Sequence, residues 1–200
     1  LTPIRTRKAP DCRMLFYADI MNTEPLQRLL NVPVALKKPA RIDGYMNSLQ
    51  SELSIQASVP QLSISDQDYA DISLSVSTPA DALNAILKAK KVLSNGNKAE
   101  YALNAMAANN KLSAALNFDN HSKLHIKGNM NANAQFSRNE EGKVKAVVNI
   151  MPSHMMIDNT NWDIMSSTLT YSPKHIEIEN FAIEHDDQHI HINGLATEDN

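Results

Sequence analysis

The stretch Ile176-Glu177-Ile178-Glu179-Asn180-Phe181-Ala182-Ile183-Glu184-His185, then Asp186-Asp187, then Gln188-His189-Ile190-His191-Ile192-Asn193-Gly194 reads as a β-hairpin. With Asp186 and Asp187 as the loop, His185 faces Gln188, Glu184 faces His189, Ile183 faces Ile190, Ala182 faces His191 and Phe181 faces Ile192. Phe181, Ile183, Ile190 and Ile192 then share one face, and Glu184, His189 and His191 the other. A slip of one residue would scramble that sorting, so the pattern fixes the register. Ile176 and Ile178 have even numbers while Phe181 and Ile183 have odd ones. The strand therefore gains a residue near Glu179 or Asn180, which predicts a β-bulge there.

The same alternation extends upstream. In Leu124 to Phe136, the residues Leu124, Ile126, Met130, Ala132, Ala134 and Phe136 fall on one face, with His125, Lys127, Asn129, Asn131, Asn133 and Gln135 on the other. Thirteen residues at about 3.3 Å each predict roughly 40 Å of strand. A turn at Asn139-Glu-Glu-Gly142 precedes Val144, Ala146, Val148 and Ile150, and Pro152 is expected to end that strand. Earlier units are Met14 to Ile20, Leu53 to Val59 ending at Pro60, Leu62 with Ile64, Ile72 to Val76, and Leu112 to Phe118. This is the spacing of an antiparallel meander, without the crossover helices that a parallel sheet needs.

Two segments break the pattern. Thr23 to Leu30 reads as a short helix near residues 24–30, with Thr23 as N-cap, Pro25 in the first turn and Leu26, Leu29 and Leu30 on one face. From Ala80 to Leu93 the Ala and Leu content favours a helix, yet Leu83, Ala85, Leu87 and Ala89 also alternate. Asn95-Gly96 follows as a turn.

Composition sets the class. With 42% hydrophobic residues and a mean hydropathy of −0.35, the 200-residue chain is too apolar for disorder. A net charge of −3 gives no electrostatic reason to expect nucleic acid, and the basic cluster Arg5, Arg7, Lys8 and Arg13 has no aromatic platform beside it. One cysteine, Cys12, excludes an internal disulfide and a cysteine-based zinc site. No run of eighteen apolar residues spans a bilayer. The chain starts at Leu1 and stops directly after a strand, which is read as a piece of a longer protein.

Residues for chemistry are sparse. His185, His189 and His191 are the tempting metal cluster, their common parity being read as one face, but solvated histidines are the preferred reading and no metal is expected. Asp186-Asp187, Asp66 with Asp68, and Glu140-Glu141 fall in expected turns. No hydrolase, metalloprotease or phosphate-loop motif is present, so no enzyme, no catalytic residue and no cofactor are expected. What remains is the apolar face, which is either sealed in a closed core or left to line an open groove.

The C-terminal part, Met151-Pro-Ser-His-Met-Met-Ile-Asp-Asn-Thr-Asn-Trp162-Asp-Ile with the hairpin that follows, resembles the strand cassette of TamB-like translocation and assembly proteins and their AsmA-like relatives. The words that carry it are Asn180-Phe181, Ile192-Asn-Gly194 and Trp162. Arg41-Ile-Asp-Gly44 and Leu112 to Phe136 are similar in layout. The resemblance implies an all-β chain, a long antiparallel meander curled into an open, taco-like groove, with residues 1–200 as a single elongated segment. It implies a periplasmic protein anchored in the inner membrane, in which phospholipid acyl chains slide toward the outer membrane. An outer-membrane β-barrel assembly partner is implied too, contacted through parts outside this chain. On that basis 80–93 becomes a strand. The expected lining is Leu124, Ile126, Met130, Phe136, Val144, Val148, Ile150, Phe181, Ile183, Ile190 and Ile192. The alternative is a closed β-sandwich acting as an adhesion or carbohydrate-binding module, and a zinc module using the histidine trio is a distant third.

Overall fold

The computed structural model describes residues 11–24, 33–139 and 141–198. It is all-β and antiparallel, with about three-quarters of the described residues in strands, so among the described residues no helical layer covers either face of the sheet. No described helix is long and apolar enough to cross a membrane. The chain divides into two compact units, one of residues 5–104 with 120–122 and one of residues 105–119 with 123–200.

The first unit holds β1 (Arg13–Ile20), β2 (Val34–Leu36), β3 (Ala40–Asn47), β4 (Glu52–Ile64), β5 (Gln67–Ser77), β6 (Leu83–Val92) and the first part of β7 (Lys98–Ala108), in the order β1-β3-β4-β5-β6-β7. Strand β2 pairs with the far end of β4, so 34–47 runs along β4 as one interrupted strand. Leu36 faces Leu62 and Arg41 faces Ser58, five steps against four. The surplus residue is a bulge at Lys37 and Lys38, whose amides both donate to the Gln61 carbonyl at 3.0 and 3.3 Å.

One expectation changes here, and one is met. Pro60 does not end its strand: it stands inside β4, between the pairs Val59–Ile72 and Gln61–Ala70. Beside it Asp71 has φ +52°, and β5 gains a residue against β6 between Ala70 and Ser73. A bulge supplies the irregular backbone at which proline is tolerated in a sheet. Residues 83–92 form a strand after a single 3-10 turn at Pro79–Asp81, because Ala85 and Leu87 pair with Val76 and Leu74. Tertiary pairing overrides helical propensity. The short helix expected over 24–30 lies, but for Glu24, outside the described residues; before it, Thr23 donates its hydroxyl to the Val34 carbonyl (2.7 Å) while accepting from the Leu36 amide. Arg5, Arg7 and Lys8 also lie outside the described residues.

The second unit holds the end of β7, then β8 (Lys111–Asp119), β9 (Ile126–Arg138), β10 (Val144–Met151), β11 (Ser153–Ile157), β12 (Thr160–Ile164), β13 (Ser167–Ser172), β14 (His175–His185) and β15 (Gln188–Thr197). Four of these are halves of two long strands. Residues 144–157 run along β9, first as β10 and then as β11, and 160–172 run along β14, first as β12 and then as β13. Strand β10 ends at Met151, before Pro152 as expected, and the chain resumes along β9 as β11. From Met151–Asn131 to Met155–Gly128 the count is four steps against three, so 144–157 gains a residue at Pro152.

Neighbouring strands match that gain. Ile150–Ser167 and Ser153–Ile164 keep one register, as do Ile164–Ile183 and Thr168–Glu179. From Phe181–Ile192 to Ile178–Gly194, β14 gains a residue against β15. Three adjacent strands thus carry an extra residue at one level, while β9 and β15 do not. A lone bulge throws its strand out of step with its neighbour, and repeating it restores pairing on both sides. Asn180 has φ +58°, and its amide donates to Asn193 Oδ1 at 2.7 Å, which satisfies a donor that the bulge takes from the ladder.

The tight turns use residues that tolerate positive φ. Ser65-Asp66 (45°, 66°), Asn109-Asn110 (50°, 62°) and Asp158-Asn159 (48°, 67°) are two-residue loops with both φ positive, the hairpin geometry that suits strand twist. At Asp186-Asp187 all five expected partner pairs form, His185–Gln188 through Phe181–Ile192, and the bulge falls between Ile178 and Phe181.

Candidate functional site

Cross-strand partners share a face, so the register assembles the apolar side of the second unit row by row. One row runs Leu112, Ala134, Val148, Leu169, Ile178. A second runs Phe136, Ala146, Tyr171, Ile176, and a third Ala114, Ala132, Ile150. Beyond the bulges the apolar face continues through Ser153, Ile164, Ile183 and Ile190 and through Gly128, Met155 and Trp162.

Burial along these rows is uneven in a telling way. The alanines form a floor, Ala134 and Ala146 being buried, and Ile164 is the one large aliphatic side chain among the described residues that is fully enclosed. The larger neighbours stay half-exposed or exposed, among them Val148, Ile150 and Leu169, and Ile176, Ile190 and Ile192 reach 44%, 54% and 44%. In a sandwich the facing sheet would take such side chains out of water, since each is worth about 1.5–3 kcal/mol when fully buried. Among the described residues no second layer does so. At the level of the bulges the Ser153 and Ser167 hydroxyls are buried without a hydrogen-bond partner.

Ten of the eleven expected lining residues lie on this face: Ile126, Met130, Phe136, Val144, Val148, Ile150, Phe181, Ile183, Ile190 and Ile192. Leu124 does not. Strand β9 begins only at Ile126, and Leu124 lies in the preceding bend, 56% exposed. The expected lining leaves out Ile176 and Ile178, whose parity the sequence shows, and also Leu169, Tyr171, Met155 and Ile164, whose signal is an alternation that changes parity at each bulge.

The histidine trio is divided. Because parity inverts across a two-residue turn, His185 lies on the apolar face and rests against Trp162 (ring centroids 5.3 Å, 44°). His189 and His191 share the opposite face, edge to face at 4.9 Å, with His191 Nε2 3.1 Å from a Glu184 carboxylate oxygen. No common site for the three exists. Other carboxylates are engaged by cations: Asp68 sits in β5 rather than in a turn and accepts from Lys37 at 2.6 and 2.7 Å, and Glu141 pairs with Lys143 at 2.7 Å.

Two surface hollows have volumes of about 590 and 570 Å³, and the second includes Gly128 and Met155. The first is lined by Asp66, Asp68, Lys91 and Asn95 among others, the second by Asn117, Lys127 and His154 together with Phe118, Met155 and Met156. His154 Nδ1 lies 2.6 Å from Asp163, and His125 Nε2 2.8 Å from Asp119.

Elsewhere in the first unit, Lys90 joins Glu100 (3.2 Å) and Asp71 (3.7 Å), and His121 lies 3.7 Å from Glu100. Hydrogen bonding and charge from Lys90, and to a lesser degree from His121, hold the Glu100 carboxyl below its ordinary value, while Glu100 raises Lys90.

No protein-family model, curated protein or solved structure matches the chain.

Proposed function

We propose that the apolar face of this sheet shields lipid acyl chains, as a segment of a TamB-like envelope protein that carries phospholipid toward the outer membrane. The observation that supports this most is the run of half-exposed aliphatic side chains over an alanine floor, continuous across five strands from Leu112 to Ile178. An acyl chain laid along it sheds water at about 25 cal/mol per Å², and no single side chain is indispensable. Small alanines beneath leave room for methylenes between the larger residues. Head groups stay in water, so the protein needs no polar specificity pocket. The periplasmic location, the inner-membrane anchor and the β-barrel assembly partner belong to the same proposal, on the resemblance carried by Trp162, Asn180-Phe181 and Ile192-Asn-Gly194.

The test places photo-crosslinking residues at Ile126 and Ile183 and, as outward controls, at Lys127 and Glu184 of the full-length protein in cells. Phospholipid adducts are expected at the first pair and not at the second. Equal adducts at both pairs, or adducts at neither, would sink the reading, and protein-to-protein adducts at Ile183 would favour a sealed sandwich.

A further inference from the structure

Strand β1 is an edge of the first unit: it pairs with β3 on one side and with no described strand on the other. Edges are protected by charged side chains, proline, bulges or a covering element. β1 has no proline and no bulge, and its two charges, Arg13 and Asp19, stand toward its ends. Met14, Phe16, Ala18 and Ile20 occupy one face, opposite Met46, Gly44, Ile42 and Ala40. On the other face Leu15 and Tyr17 are 82% and 74% exposed, flanked by Arg13 and Asp19. Neither charge makes a close ion pair among the described residues: Arg41, which faces Asp19 and feels its charge, gives its guanidinium to Asp43 at 2.8 Å.

We propose that β1 is the contact of a two-fold symmetric dimer, two copies of this chain pairing antiparallel along their β1 edges with Phe16 opposite Phe16. A strand that pairs with its own copy about a two-fold axis must be centred on a residue, because only then do residues of like orientation meet. Centring on Leu15 sets Asp19 against Asp11, and centring on Tyr17 sets Arg13 against Met21. Centring on Phe16 sets Arg13 against Asp19 at both ends and Leu15 against Tyr17 within them, covering the two most exposed apolar side chains of the strand. The strand is thus self-complementary in charge and in shape at one register only. An eight-residue edge contact is small by the standard of stable interfaces, so the dimer is weak and concentration-dependent.

Sedimentation of the intact chain over a wide concentration range tests this. A monomer–dimer equilibrium is expected, weakened roughly tenfold or more by Arg13→Asp and likewise by Asp19→Arg, because each makes both symmetric contacts like-charged. Mixed together, the two variants should associate with each other about as well as the natural chain does with itself, since every 13-to-19 contact then joins opposite charges. A photo-crosslinker at Phe16 should link copy to copy, which keeps the test open if a charge variant folds poorly. A chain that stays monomeric throughout, a dimer indifferent to either substitution, or a mixture no better than its components overturns the proposal.

Discussion

Gly128 lies directly across from Met155, and a Cβ built on Gly128 would stand 2.9 Å from the Met155 Cα and Cβ. The obstacle is backbone, so Gly128→Ala can be accommodated only by moving β9 and β11 apart. We expect it to cost about 1–3 kcal/mol, the range of overpacked sites, read as a lowered denaturation midpoint with unchanged slope. Gly194→Ala is the control: nothing lies within 4 Å of its Cβ position, and it should be neutral or slightly stabilising.

Asn180 carries the bulge of β14 at φ +58°. A β-branched side chain is strongly disfavoured there, so Asn180→Val should destabilise by about 1–3 kcal/mol, whereas Asn180→Gly should be tolerated. Asn193→Ala removes the acceptor of the Asn180 amide and should cost about 0.5–1.5 kcal/mol. Chemical denaturation of the three variants checks the order.

Glu100 loses protons more readily in the folded chain than its ordinary value would give, chiefly because of Lys90. A carboxyl whose folded pKa is depressed adds stability that is complete above its unfolded value and is lost as pH falls through the folded one. The slope therefore appears on acidification below the usual glutamate range, and it is small because the groups are exposed. Lys90→Met should move the Glu100 carboxyl titration upward in an NMR pH series and flatten the acid limb of the melting temperature. An unchanged Glu100 midpoint would show that the pair does not persist in solution.

Ile150 and Val148 stand in the middle of the apolar rows, while Lys145 lies on the other side of the same strand. Under the lipid-shielding proposal, Val148→Glu with Ile150→Glu should abolish binding of a fluorescent fatty acid, and Lys145→Glu should leave it intact. Retention of strand content by circular dichroism separates lost binding from lost fold. Equal binding by all three proteins would count against an acyl chain on this face.

Most of the second unit's plan is visible in its residues. The hairpin at Ile176 to Gly194 shows its register because one face is apolar and the turn has two residues. Its bulge is visible as the parity change between Ile178 and Phe181. The same change occurs between Ile150 and Met155 and again between Ile164 and Leu169, but the proline at 152 ends β10, and the return of the chain to β9 as β11 shows only in the pairing. Pro60 reads as a terminator and is not one. Residues 83–92 are ambiguous because alanine and leucine suit a helix locally, and only the partner strand decides. His185 differs from its expected face for a simpler reason: residue parity holds along a strand and not around a two-residue turn.

The aligned surplus residues at Pro152, at Met165-Ser166 and at Glu179-Asn180 have a practical corollary for any residue-by-residue substitution scan. Tolerance to charge should oscillate with a two-residue period along each of these three strands and then jump half a period in mid-strand, like a grating with one line displaced. In β9 and β15, which lack the surplus residue, the oscillation should run through undisturbed.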